Sequence, residues 1–398
     1  MLSAIPTYFT FADFGFTMAA KNVMTIKVAA GDIRGALVIY QSIFLLLGII
    51  VVTILLLLLL LLSTIPLGEF FVLGPVTEQA GKSVLFLLAS NVLLTQYFLL
   101  MAGGLRCIGR TTEEVVWGAS ARLMEGAITA LAASFSRDIV VAGIAIVVIR
   151  LTFNFATWAR LKFLERRLVM GWRFASFEEA KRLFHPSLSF MLVSLGQALT
   201  IQGPVLILGV VGTPFQVVVF STTRTLARLG TAAANMINFA LTPEYSRLFG
   251  LQQLRQFARL TRIHLRITVV LCAGYFIFLG TAGDWIIAFW TGGKVMVDKG
   301  FFIAMLLAVT AEMIWSAELM PLASINRHTT VSRAFSSLSV IGLILSYLAG
   351  QRYGNLIAIV APLLAIHSAL AIFAAIQLRT FWHTHLLGDE AQPPPSAQ

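Results

Sequence analysis

The chain has 398 residues, 58% hydrophobic and 12% charged, with a net charge of +11 and a mean hydropathy of +0.87. A water-soluble domain carries about twice that charged fraction, so a soluble enzyme or binding module is excluded. Apolar runs of about 18 or more residues recur from end to end and do not alternate with period two. That excludes an outer-membrane barrel and leaves an all-α, polytopic membrane protein. Cys107 and Cys272 fall in or beside apolar runs and read as small buried residues.

In chain order the pattern predicts spans near 3–20, 36–62, 84–105, 115–134 and 139–159. Six more follow near 187–211, 214–241, 267–290, 301–324, 331–349 and 355–378. The opening residues lack the basic start of a cleavable signal peptide. If the loop after the first span is cytoplasmic, the cytoplasmic loops hold 20 Lys and Arg and the outer loops hold five: Lys82, Arg137, Lys294, Lys299 and Arg352. The positive-inside rule is satisfied, the charge is explained as topology, and a nucleic-acid partner is excluded. Residues 160–186 form the longest polar interruption, with Ser176 and Glu179 spaced as a capping box. The expected organisation is an N-terminal bundle of five spans (1–160), a cytoplasmic linker (161–186), a C-terminal bundle of six spans (187–380) and a polar, Pro-rich tail (381–398) expected to be disordered. In "LQQLRQFARLTRIHLR", Arg255, Arg259, Arg262 and Arg266 share one helical stripe. It reads as a helix lying on the anionic inner leaflet, a topology anchor or a lipid-binding surface.

Two stretches carry a family resemblance. "FADFGFTMAAKNVMTIKVAAGD" (11–32) resembles the second-helix motif of Wzx-type polysaccharide flippases. "RLFHPSLSFMLVSLGQALTIQGPVLILGVVG" (182–212) and "VVVFSTTRTLARLG" (217–230) resemble the start of their second half. Those flippases belong to the multidrug/oligosaccharidyl-lipid/polysaccharide (MOP) superfamily, with the MATE exporters and lipid II flippases. The resemblance implies two six-helix bundles related by a pseudo-twofold axis around a cavity that alternates between the membrane faces. It also places "DFG" in the second helix, so the family's first helix is expected to be missing here.

Ionisable groups inside spans face a bundle interior or a wet cavity, because charge in hydrocarbon costs several kcal/mol. Arg224 and Arg228, four apart, share a helix face, and Asn235, Asn238 and Thr242 continue the stripe. Guanidinium forks match phosphate oxygens, so the stripe suits an anionic head group, with Gln197 and Arg122 as further polar contacts. The alternative is that both arginines pair with carboxylates such as Glu125 or Glu312. Arg122 and Glu125, three apart, are expected to satisfy each other, and Arg150 to snorkel to the cytoplasmic end. Asp13, Glu125, Glu312 and Glu318 are the candidates for ion coupling or counter-charge. His367 reads as a hydrogen-bonded core residue. Pro204, Pro321 and Pro362 are expected to bend their spans, with Gln197 and Gln202 near the carbonyls that Pro204 frees.

"GPVTEQAGKS" (74–83) has six residues between its first glycine and the Gly-Lys pair where a phosphate loop needs four, so no ATPase site is expected. The outer loops show no carboxylate cluster, and no metal-ligand spacing occurs; an enzyme, a metal and a cofactor are not expected. The resulting expectation is a flippase of the bacterial inner membrane that moves polyprenyl-pyrophosphate-linked glycan for lipopolysaccharide O-antigen, capsule or exopolysaccharide synthesis. Membrane lipids are its surroundings, and a polysaccharide polymerase or glycosyltransferases are candidate partners. A MATE-like small-molecule antiporter and a non-transporting scaffold are the alternatives.

Overall fold

The computed structural model describes residues 13–64, 77–136 and 138–386. Most of the first predicted span, part of the 74–83 loop and most of the 381–398 tail lie outside the described residues. Among these residues every regular element is helical: α1 (Phe16–Ala29), α2 (Ile33–Thr64), α3 (Glu78–Cys107), α4 (Thr111–Ser136), α5 (Ile139–Leu164), α6 (Phe177–Val211), α7 (Pro214–Ala227), α8 (Leu229–Gly250), α9 (Leu254–Thr291), α10 (Lys299–Ser324), α11 (Thr329–Tyr353) and α12 (Leu356–Leu386). Eight of them are long and apolar enough to cross a membrane: α2, α3, α5, α6 and α9 to α12. The charges Arg122 and Glu125 set α4 apart, and a break at Arg228 divides the predicted span 214–241 into α7 and α8. On α2, Leu56, Leu57 and Leu60 are each about 60% exposed. Water would not tolerate that stripe, but lipid tails cover it at no cost.

The described chain divides into two compact units, one up to Leu188 and one from Ser189 onward. In the first, α3 is the hub and packs against α1, α2, α4 and α5. The linker after α5 is tied to that unit through α2. The Gln41 amide donates to the Val169 carbonyl at 3.1 Å and accepts from the Phe174 N–H at 2.8 Å, while Ser42 accepts from the Ser176 N–H. Ser176 also accepts from the Glu179 N–H, and the helix it opens is α6, which runs on without interruption for 35 residues through Pro204.

In the second unit α10 is the hub, packed against α7, α8, α9 and α12. Its apolar window is 61% buried, against 22% for α2. Phe301, Phe302, Met305, Leu306, Val309 and Met313 form the core beneath α7 and α9. The basic stripe 255–266 is not a separate helix lying on the membrane. It is the first third of α9, a single helix of 38 residues whose opposite face buries Phe257, Thr261 and His264. Those buried contacts hold the segment in line with the span, while Arg255, Arg259, Arg262 and Arg266 stay exposed. Pro321 and Pro362 lie inside α10 and α12, which remain continuous helices.

Candidate functional site

The site forms where α7 ends. Thr213 and Gln216 make a full capping box with Pro214 at the first helical position, so α7 starts firmly. It stops at Arg228, whose ψ of −2° leaves the helical range before α8 begins. A break in an apolar unit strands backbone carbonyls, and here each has a named donor. The Tyr275 hydroxyl on α9 donates to the carbonyls of Leu226 (2.8 Å) and Ala227 (3.1 Å), and the Thr231 hydroxyl donates to that of Arg228 (2.7 Å). Tyr275 comes that close because residue 230 is glycine; a Cβ there would lie 2.5 Å from the tyrosine ring.

The break aims Arg228 at α10. Its two terminal nitrogens donate to the two oxygens of Glu312, at 2.6 and 2.9 Å, as a bidentate fork. Glu312 is 6% exposed and Arg228 22%. His367 on α12 places Nε2 4.0 Å from the Glu312 carboxylate. The Trp315 indole donates to its other ring nitrogen, Nδ1, at 3.0 Å. An indole nitrogen only donates, so Nδ1 is the acceptor and the proton of the neutral ring sits on Nε2, facing Glu312. Arg224, one turn before Arg228, donates to the backbone carbonyl of Ile201 in the turn before Pro204. These groups and Thr200 enclose a cavity of about 20 Å³, with Leu363 and Met305 on its apolar side. That is space for one or two waters. Two guanidiniums against one carboxylate leave the cluster with an excess positive charge.

The pairing alternative therefore holds for Arg228, with Glu312 as its partner, and not for Arg224, which meets a neutral carbonyl. No protein-family model matches the chain, and no curated protein matches it. Solved structures do. A MATE transporter in its bent conformation aligns over 96% of this chain and 87% of its own at 13% identity and a TM-score of 0.79. The chain has the MATE fold. A MATE in the straight conformation gives 0.78 at 14% identity, over 96% of this chain and 87% of that one. The outward-facing conformation of a multidrug resistance MATE family transporter of the MOP superfamily gives 0.74 at 15% identity, over 96% and 88%. At such identity it is the fold that is shared.

Within the MATE fold the other predicted residues separate. Asn238 does not line the cavity. His264 donates from Nε2 to its side-chain carbonyl at 2.9 Å and accepts from the Tyr245 hydroxyl at Nδ1, so Asn238 belongs to a buried polar seam between α8, α9 and α10. Thr242, further along, donates to the Asn238 carbonyl. The continuous stripe expected from Arg224 to Thr242 is thus cut at Arg228, because two helices replace one. Asn235 and Gln197 are partly exposed and do not line the cavity. Glu318 lies nearly two turns beyond Glu312 on α10 and lines a different cavity.

In the first unit the expected Arg122–Glu125 pair is replaced. Arg150 on α5 reaches Glu125 at 2.6 Å, while Arg122 points outward and is exposed. The expectation that Arg150 snorkels fails with it: the side chain is buried, over the Phe98 ring. A tertiary partner on a neighbouring helix outcompetes a neighbour three residues away. Asp13 caps a helix instead of standing free. Its carboxylate accepts the N–H groups of Gly15 (3.1 Å) and Thr17 (3.2 Å) at the start of α1, after a turn in which Phe14 and Gly15 both have positive φ. Sequence reasoning missed Tyr275, Trp315 and Thr200. The clue available to it was Gly230 two residues after an intramembrane arginine.

Proposed function

We propose that this chain is an alternating-access transporter that flips a polyprenyl-pyrophosphate-linked oligosaccharide across the bacterial inner membrane, for surface polysaccharide synthesis. One observation carries the reading: the partly buried cluster on α7, α10 and α12 has one cation more than its carboxylates balance, and Arg224 is held only by a neutral carbonyl. A cluster with that imbalance, deep in an apolar unit, favours an anionic guest. A diphosphate would compete with Glu312 for the Arg228 fork, whose geometry suits either partner. The Nε2 proton of His367 faces the carboxylate that such a guest displaces, and helps hold its charge while the fork is engaged. The resting cavity admits water only, so loading the head group requires the cluster to open.

A second reading, a MATE-like exporter of small molecules, is favoured by the Glu312–His367 pair, which could take up and release a proton, and by the fold itself. Cells that depend on this protein separate the two. Arg224→Glu with Arg228→Glu should abolish surface polysaccharide and leave lipid-linked repeat units accumulating inside, at normal protein level in the membrane. The Arg→Lys pair should retain part of the activity. Unchanged polysaccharide with lost drug resistance would overturn the flippase reading in favour of the exporter.

A further inference from the structure

The cytoplasmic end of the second unit holds a larger cavity, of about 390 Å³, between α9, α10 and α12. Leu265 and Leu378 supply apolar wall. Arg262 from α9 and Arg379 from α12 bring guanidinium groups to it, both exposed and, among the described residues, neither within ion-pair distance of a carboxylate nor in a hydrogen bond, although Arg379 is near enough to act electrostatically on Glu318. Glu318 lines the same cavity from α10. Its Oε2 is shut off from solvent and has no hydrogen-bond donor among the described residues. Trp382 completes the lining, its ring set edge-on against Phe257 at 5.3 Å between centroids.

These features fix a depth and a chemistry. Arg262 and Arg379 both fall on the side that carries the excess of basic residues, and tryptophan favours the layer where hydrocarbon meets head groups. Two convergent guanidiniums ask for a phosphate. A buried carboxylate oxygen without a donor asks for an N–H or O–H group. The apolar walls ask for hydrocarbon. One molecule of the inner leaflet carries all three within one head group's reach.

We infer that this cavity binds an ethanolamine phospholipid, with its phosphate between Arg262 and Arg379 and its ammonium donating to the Glu318 carboxylate, whose sealed oxygen turns into the cavity as the lipid enters. Each charge of the zwitterion then meets its opposite. A choline lipid presents the same phosphate but no N–H for Glu318. A glycerol lipid offers hydroxyls but adds no cation to set against the carboxylate. The site is distinct from the Arg228 cluster and stands whether or not the flippase reading does.

The test is native mass spectrometry of the delipidated full chain with ethanolamine, choline or glycerol phospholipid added at equal concentration. The ethanolamine lipid should be retained about tenfold better than the choline lipid, the effect of one charge-assisted hydrogen bond. Glu318→Gln should erase that preference, and Arg262→Ala with Arg379→Ala should weaken every lipid by tenfold or more, with the Arg→Lys pair largely restoring it. Thermal unfolding of each variant checks that it is folded. Equal retention of the three lipids by the wild type, or a preference that survives Glu318→Gln, would overturn the assignment. Displacement of the lipid by an equal concentration of free phosphoethanolamine would overturn the lipid as the source.

Discussion

The two units handle buried charge differently. In the first, every buried cation among the described residues is drawn into a pair or a small network, Lys21 and Arg106 sharing Glu114 at 2.9 and 2.8 Å and Arg150 holding Glu125 at 2.6 Å, while Asp13 accepts backbone N–H groups. The Glu114 network ties the middle of α1 to the last turn of α3 and the first turn of α4, and Arg160 clasps Glu113 nearby. In the second unit the buried charge sits at a helix break, one arginine has a carboxylate and the other a carbonyl, and a histidine stands beside them. The first unit's buried cations are matched by carboxylates, whereas Arg224 in the second meets only a neutral carbonyl. On the proposed function the matched cations fasten helices and Arg224 is the one left for a guest.

The largest effects should come from breaking one side of each buried pair. Glu312→Ala strands Arg228, and Glu125→Ala strands Arg150, so each should destabilise the chain by about 3–5 kcal/mol in detergent unfolding. The paired replacements discriminate. Both Arg150→Met with Glu125→Leu and Arg228→Met with Glu312→Leu should regain stability; on the proposed function the first should keep surface polysaccharide and the second lose it. Equal loss of transport from both would erase the distinction drawn above.

A pH dependence comes next. His328 lies between α10 and α11, fully buried against the Phe190 ring, with neither ring nitrogen hydrogen-bonded among the described residues. Burial pushes its pKa down to about 3 from an ordinary 6.5. The folded chain therefore keeps this ring neutral where the unfolded chain protonates it. Its contribution to stability is complete above about pH 6.5 and declines as pH falls towards 3, by about 1.4 kcal/mol per pH unit. Unfolding measured from pH 7 to 5 should show at least that slope, and His328→Phe should reduce it, the remainder coming from His264, which burial pushes down to about 4.

Tyr275→Phe removes the donor from two carbonyls at the helix break and should cost about 1–2 kcal/mol; on the proposed function it should also impair transport, because the aim of Arg228 depends on that break. Smallest of all, Arg122→Ala should change stability by less than about 0.5 kcal/mol, since the side chain is exposed and outside every ion pair among the described residues. A large loss there would restore the local Arg122–Glu125 pairing that the sequence spacing suggests.

Hydropathy made most of the spans legible, because a run such as 43–62 has no stable home but lipid. The same averaging hid the break at Arg228. The apolar residues on both sides of it keep any window above threshold, and the interruption is decided by Tyr275, some 47 residues away. Likewise Arg150–Glu125 could not be read from spacing, since helix packing and not sequence distance selects the partner. His367 was legible as a hydrogen-bonded core residue, and Trp315 supplies the bond. Of the site, the arginines announced themselves as charges in hydrocarbon. That Glu312 answers Arg228, and a backbone carbonyl Arg224, was decided only by the packing of the helices.

The length of α9 has a mechanical corollary. At 38 residues it extends to about 57 Å, nearly twice the hydrocarbon thickness, and its arginines ride on the same rod as its membrane-crossing part. A tilt of about 15° about the middle of the span would sweep the first of them some 9 Å across the leaflet surface. Anionic head groups gripping that stripe would resist the sweep, so the charge of the surrounding lipid would act as a brake on any tilting of this helix.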